Sequence, residues 1–147
     1  MQLSPDDIEL YLKDYGWDFS LSGPDIWSTG WQGDNRSYPL IIKLTETWLS
    51  FSVAPLLRLG PSWSSYPEVS LKLLELNHDC QLVKLGIDEF GDVTLSAQLL
   101  TSCVDFGVFS DYLGVIGYYA DKIYDCLEAE LGESEHFLES MDVSLTQ

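Results

Sequence analysis

Residues 82–98 read LVKLGIDEFGDVTLSAQ, and the way this stretch folds decides the fold class. Apolar residues alternate with others on both sides of Glu89-Phe90-Gly91. Glycine can take the left-handed conformation that closes a three-residue hairpin loop, because it has no Cβ to clash. Closing the loop there pairs Ile87 with Val93, Leu85 with Leu95 and Val83 with Ala97. The period of two then sets all six side chains on one face. The expected architecture is an antiparallel sheet with one face packed on the core.

Upstream, Tyr38–Leu44 and Thr47–Val53 read as a second hairpin, turning around Thr45-Glu46. Symmetric pairing places Ile42 opposite Leu49, Leu40 opposite Phe51 and Tyr38 opposite Val53 on the core face. Ile41 then faces Ser50 on the reverse side, and Lys43 faces Trp48 as a cation–π pair of ~0.5–1 kcal/mol. Another strand is expected near Asp25–Gln32, with Gly33-Asp34-Asn35 as its turn. Residues 55–66, PLLRLGPSWSSY, are rich in Pro, Gly and Ser and read as a long loop carrying Leu56, Leu57, Leu59 and Trp63.

Helices bracket these strands. Ser4-Pro5-Asp6-Asp7 supplies an N-cap, a first-turn proline and first-turn acids, and Ile8, Tyr11, Leu12 and Tyr15 follow at helical spacing up to Gly16. A second helix runs from Pro67 to about Asn77. A third spans about 106–131, with Phe109, Tyr112, Leu113, Ile116, Ala120, Ile123 and Leu127 on one stripe. Gly114 and Gly117 mark a kink or a close approach of another backbone, and Gly132 reads as its stop. The order is α-β-β-β-α-β-β-α: an α+β fold with an antiparallel sheet of about five strands and helices packed on it. Residues 1–131 form the single domain, and 132–147 an acidic, flexible tail.

The composition agrees with one folded domain: 147 residues, 46% hydrophobic, with five Trp, eight Tyr and six Phe. Twenty-four acids against seven bases give a net charge of −17. The bases Lys13, Arg36, Lys43, Arg58, Lys72, Lys84 and Lys122 are scattered singly. Nucleic acid and anionic membrane surfaces require clustered bases, so neither is an expected partner. No apolar run is long enough to span a bilayer, and the N-terminus lacks the features of a signal peptide. Cys80, Cys103 and Cys126 form no CxxC pair and read as reduced thiols. The expected location is the cytoplasm.

One stretch has the look of chemistry. ELNHDC, residues 75–80, places an acid, a histidine and a thiol within six positions. A zinc site needs four ligands at paired spacings, and a Cys–His pair needs a third orienting group. A helix end explains the residues better: Asn77 and Asp79 turn the chain and His78 complements the helix dipole. Asp88 and Asp92 likewise read as turn residues, not calcium ligands. No catalytic residue, metal site or cofactor is expected, and the chain is not expected to be an enzyme.

Three segments carry a family likeness. KLTETWLSFSVAPL (43–56), LKLLELNHDCQLVKLGIDEFGDVTLSAQLL (71–100) and DYLGVIGYYADKIYDCL (111–127), taken with the element order over about residues 4–131, resemble the type III secretion chaperone-like superfamily, including its YbjN-type members. The resemblance implies a small, acidic, non-enzymatic and often dimeric protein that binds segments of client proteins. The chain is also similar to small cyanobacterial members, one group of which assists carboxysome shell assembly by holding a shell protein's C-terminal extension. The expected function is therefore a chaperone-like adaptor, with an apolar client segment on a surface including Trp27, Trp31, Ile41 and Trp48, flanked by Leu57 and Trp63. Aromatic side chains are the usual anchors of such surfaces. The other reading left open is a structural or regulatory homodimer joined through the final helix.

Overall fold

Ser4 opens the first helix, α1 (Pro5–Tyr15), through a reciprocal cap. The Asp7 amide donates to Ser4 Oγ at 3.3 Å, and the Ser4 amide to Asp7 Oδ2 at 2.9 Å. Gly16, at φ 91°, closes the helix as expected. The structure is a computed structural model that describes residues 2–34 and 36–145, with the side chains of the last helix as far as Ala129.

Six strands follow: β1 (Ser20–Gly23), β2 (Ile26–Gln32), β3 (Ser37–Leu44), β4 (Trp48–Arg58), β5 (Lys84–Ile87) and β6 (Asp92–Leu100). They form one antiparallel sheet in the order β1-β2-β3-β4-β6-β5. Helix α2 (Pro67–Asp79) lies between β4 and β5, and α3 (Phe106–Leu145) follows β6. The expected α+β fold with an antiparallel sheet is the one formed, with one strand more than the sequence announces. That strand, β1, reads Ser-Leu-Ser-Gly and has no buried residue. An edge strand open on both faces carries no alternation for a period-of-two reading to find.

In the β5–β6 hairpin, Ile87 faces Val93 and Leu85 faces Leu95, as the loop glycine dictates. Gly91 stands at φ 83°. Asp88 is a turn residue: its carboxylate accepts from the amides of Phe90 (2.9 Å) and Asp92 (3.0 Å). The ladder begins at Lys84, so Val83 lies just outside it. The β3–β4 hairpin keeps its expected core face, but its register moves by two residues. Leu44 faces Leu49, Ile42 faces Phe51 and Leu40 faces Val53. Its turn is centred on Glu46-Thr47, where Thr101, just past β6, donates from its amide to the Thr47 carbonyl (2.9 Å) and from its hydroxyl to the Glu46 carbonyl (2.8 Å). Lys43 therefore faces Ser50, and Trp48 faces Leu100, in place of the expected Lys43–Trp48 pair.

The long loop expected over 55–66 is strand in its first four residues. β4 continues to Arg58, and its register on β6 shifts between Val53 and Leu57, where Pro55 has no N–H to give the ladder. A 3-10 turn then spans Pro61–Ser65. Leu56 and Leu59 are buried in the core.

Helices α1 and α3 share one face of the sheet. Phe109 of α3 packs on Phe51 of β4 (5.5 Å between ring centroids) and on Tyr11 of α1 (5.4 Å). Helix α2 buries Val69, Leu73 and Leu76 and lies beside β5. The ELNHDC stretch closes that side. Asn77 presents Oδ1 to the Leu85 amide (2.6 Å) and Nδ2 to the Leu85 carbonyl (3.0 Å), standing in for a missing neighbour strand. The backbone of α3 continues through Gly132 to Leu145, past the expected stop. A glycine ends a helix only where it leaves the helical conformation; within one it costs ~1 kcal/mol against alanine. Side chains from Glu130 onward, the expectation of a flexible tail and Asn35 of the expected turn lie outside the described residues.

Candidate functional site

The six residues singled out from the sequence lie on different sides of the sheet. Trp27 pairs with Ile42 and faces the helices, fully buried, with its indole N–H donating to Glu9 Oε2 at 3.2 Å. Its surface is spent on the core, so the expectation that Trp27 touches a partner is corrected. Trp31 shares that face but is only half-buried. Ile41 and Trp48 lie on the opposite, outward face, half-buried and 44% exposed respectively. Leu57 and Trp63 are half-buried against the core near the end of β4. No single surface holds all six.

Trp31 belongs instead to an aromatic row at the end of β2. Its ring stacks on Trp17 (5.6 Å, 7° between planes) and abuts Tyr38 (5.1 Å), while Tyr15 meets Trp17 edge-on (5.0 Å). The row faces α3 at Gly117, where a Cβ would lie 3.8 Å from the Trp31 indole nitrogen. Among the described residues no other backbone makes the close approach expected at the α3 glycines; what Gly117 meets is an indole ring at ordinary contact distance. Gly114, one turn earlier, has no neighbouring atom within 4 Å of where its Cβ would stand. It is a bare notch on the exposed side of the helix.

Two depressions meet at that notch. One, of about 650 Å³, lies between the segment after α2 and helix α3, and is lined by Gln81, Leu82, Ser110, Asp111, Val115 and Tyr119. The other, of about 250 Å³, lies against the aromatic row, among Trp17, Trp31, Gly33, Asp34 and Asp121. Gly114 and Tyr118 line both, so the two adjoin on α3 and outline a shallow groove across it. Its walls are built locally. The Gln81 amide donates to the Tyr119 hydroxyl (3.1 Å), tying the end of α2 to α3. Leu82, at φ 74°, holds a left-handed conformation unusual for leucine and stays 48% exposed at the rim. Asp121 accepts from the Tyr38 hydroxyl (2.9 Å) and the Asp34 amide (3.1 Å), fixing the β2–β3 turn on the helix. Burial first, then that hydrogen bond, pushes the Tyr38 phenol well above its usual range.

The groove is acidic. Asp34, Asp111 and Asp121 line it without any Lys or Arg, and the bases close in sequence to Asp121 and Asp34 are engaged. Lys122 folds over the Tyr118 ring (5.5 Å to the centroid) and donates to its hydroxyl at 3.4 Å. Arg36 sits against Tyr38 and Tyr124 (6.0 and 5.7 Å) and donates to the Leu56 carbonyl at 3.3 Å. Among the described residues, no three His, Cys, Asp or Glu side chains are grouped to hold a metal. Burial raises the pKa of the Cys80 thiol, with Lys122 opposing, which disfavours the nucleophilic thiolate. Tyr118, 59% exposed, escaped the sequence reading because it lies off the apolar stripe of α3, and Leu82 because it lies between α2 and β5. A legible signal was the spacing Asp111, Gly114, Tyr118, which places all three on one helical face.

Residues 4–129 match the model of the YbjN family, described as "Putative bacterial sensory transduction regulator". Two solved structures share the fold. One, titled "Crystal structure of YbjN, a putative transcription regulator from E. coli", is 14% identical, with a TM-score of 0.67 over 88% of this chain and 96% of that one. The other, an uncharacterized protein from Methanothermobacter thermautotrophicus, is 10% identical, with a TM-score of 0.60 over 87% and 98% of the two chains. None of the curated proteins matches the sequence. Among the described residues, no helix is long and apolar enough to cross a membrane.

Proposed function

The chain belongs to the YbjN family, and on that footing we propose that it is a non-enzymatic adaptor that holds a segment of a client protein in the groove across α3. The observation that carries this reading is the notch at Gly114, where two depressions with aromatic linings adjoin. A groove of this kind accepts a chain segment, with Trp17, Trp31 and Tyr118 as anchors for apolar side chains. The lining carboxylates select a segment that also carries Lys or Arg, and the net charge of −17 steers such a segment inward. The left-handed Leu82 on the rim adds weight, since backbone strain gathers at ligand clamps. Holding a client during assembly, as an assembly factor for a shell protein does, is one form this activity takes.

The test is a tagged capture from the source extract with three variants. Gly114→Trp fills the notch from a position where a Cβ meets no neighbour, and Tyr118→Ala removes an exposed anchor. Both are expected to abolish capture of a stoichiometric client while the melting temperature stays within a few degrees. Trp48→Ala, on the opposite sheet face, is expected to leave capture intact. Capture lost with Trp48→Ala and retained with the other two would move the client to the outward face and refute this site.

A further inference from the structure

Among the described residues, the outward face of the sheet has no cover. Every buried strand residue, from Trp27 and Tyr38 to Leu95 and Leu99, belongs to the helix-facing side, apart from Leu56 at the β4 irregularity. On the outward side, Ile41, Ser50, Ser52 and Ser96 are only half-buried, and Trp48 and Leu100 are cross-strand neighbours with 44% and 45% of their surface exposed. The charge on this face is as unusual as its exposure. Asp92 is the single acid in the six strands of a chain with 24 acids, and Arg58 lies 3.7 Å from it. Lys43 and Lys84 are the other charges on the face.

We infer that this face is where two copies of the chain meet, sheet against sheet across a two-fold axis. A second copy brings the same −17, so approach through helical surfaces sets acid against acid. The outward sheet face is the large surface where that repulsion is smallest. Its serines are short enough for sheets to approach to the ~10 Å of face-to-face packing. Strands spaced ~4.8 Å apart and rising ~3.4 Å per residue give this six-stranded face ~600–700 Å² in projection, close to the ~800 Å² per partner of a standard interface. The two-fold axis makes the contact self-complementary, with Trp48, Leu100 and Ile41 as its apolar points. This inference rests on the sheet and is independent of the α3 groove.

Sedimentation equilibrium of the full chain across the micromolar range tests it. The wild type is expected to interconvert between monomer and dimer, with the dimer tightening as salt screens the repulsion. Ser50→Glu adds a carboxylate at the centre of the face, opposite Lys43, and is expected to weaken the dimer at least tenfold with little change in monomer fold by circular dichroism. Trp48→Ala, at an exposed position, is a second variant expected to weaken it severalfold. Tyr118→Ala is expected to leave it unchanged. A wild type that stays monomeric at high salt overturns the inference. So does a dimer that persists in folded Ser50→Glu and Trp48→Ala, whatever else dissociates it.

Discussion

Asn77→Ala separates two readings of ELNHDC, a chemical site and a structural closure. In the structure, Asn77 makes two hydrogen bonds to the backbone of Leu85, at 2.6 and 3.0 Å, both part-buried. Each such bond contributes ~1 kcal/mol net, and truncation also leaves the Leu85 N–H and C=O without their protein partner. The expected loss is therefore ~2 kcal/mol, about a thirtyfold fall in the folding constant. At this chain length that corresponds to roughly 4–8 °C in melting temperature. Urea unfolding should show an earlier midpoint with an unchanged slope, because the surface exposed on unfolding is the same. Asn77→Asp keeps the acceptor but sets a carboxylate oxygen against the Leu85 carbonyl, so it should cost at least as much. His78 is exposed, and His78→Ala should stay within ~0.5 kcal/mol of wild type. Hydrogen exchange at the Leu85 amide gives a local readout, with protection lost in Asn77→Ala. A loss below ~0.5 kcal/mol for Asn77→Ala, or a larger loss for His78→Ala, would sink the account of this stretch as a strand closure.

Three further outcomes are expected. Gly91→Ala forces a side chain into φ 83° and drives its Cβ into the Gly60 backbone, so thermal melting should show a loss of ~3 kcal/mol or more. Gly114→Ala meets open space and raises helix propensity, so urea unfolding should show a gain of ~0.5–1 kcal/mol. Tyr38 has a folded-state pKa raised above its ordinary value of 10.0, so below about pH 10 it is protonated in both states and adds no pH dependence. Above that pH the unfolded chain releases the proton first and stability falls; melting temperatures across the alkaline range should show this fall reduced in Tyr38→Phe.

What the sequence shows plainly is what short-range rules decide. The 82–98 hairpin was legible because Gly91 and Asp88 close the loop by themselves. The β3–β4 register was not, because Thr45-Glu46 and Glu46-Thr47 are equally good turn centres locally. Thr101, more than fifty residues later, holds the second of them. Residues 55–58 were misread because a proline in a strand looks like a loop until a register shift accommodates it. Parity correctly put Trp27 and Trp31 on one face, yet which face meets the helices depends on contacts no local pattern records. The groove was less legible still. It is made by the absence of a side chain at Gly114 beside a tyrosine outside the core stripe, whereas periodicity reports what is buried.

The distribution of acids ties the two proposed surfaces together and separates them experimentally. With a single acid in the strands, almost all the negative charge stands on helices and turns, where Asp34, Asp111 and Asp121 border the groove. A basic client segment in the groove gains from that field, so its affinity should fall as the Debye length shrinks from ~10 Å at 0.1 M salt to ~3 Å at 1 M. Two copies meeting through their sheets are opposed by the same field, so their association should strengthen over the same range. One salt titration followed by sedimentation for the dimer and by fluorescence anisotropy for a labelled Lys- and aromatic-containing peptide reads both. Opposite slopes are expected, with the peptide's slope flattened in Asp111→Asn and the dimer's left as it was. Parallel slopes would mean that the acids are not partitioned between two working surfaces.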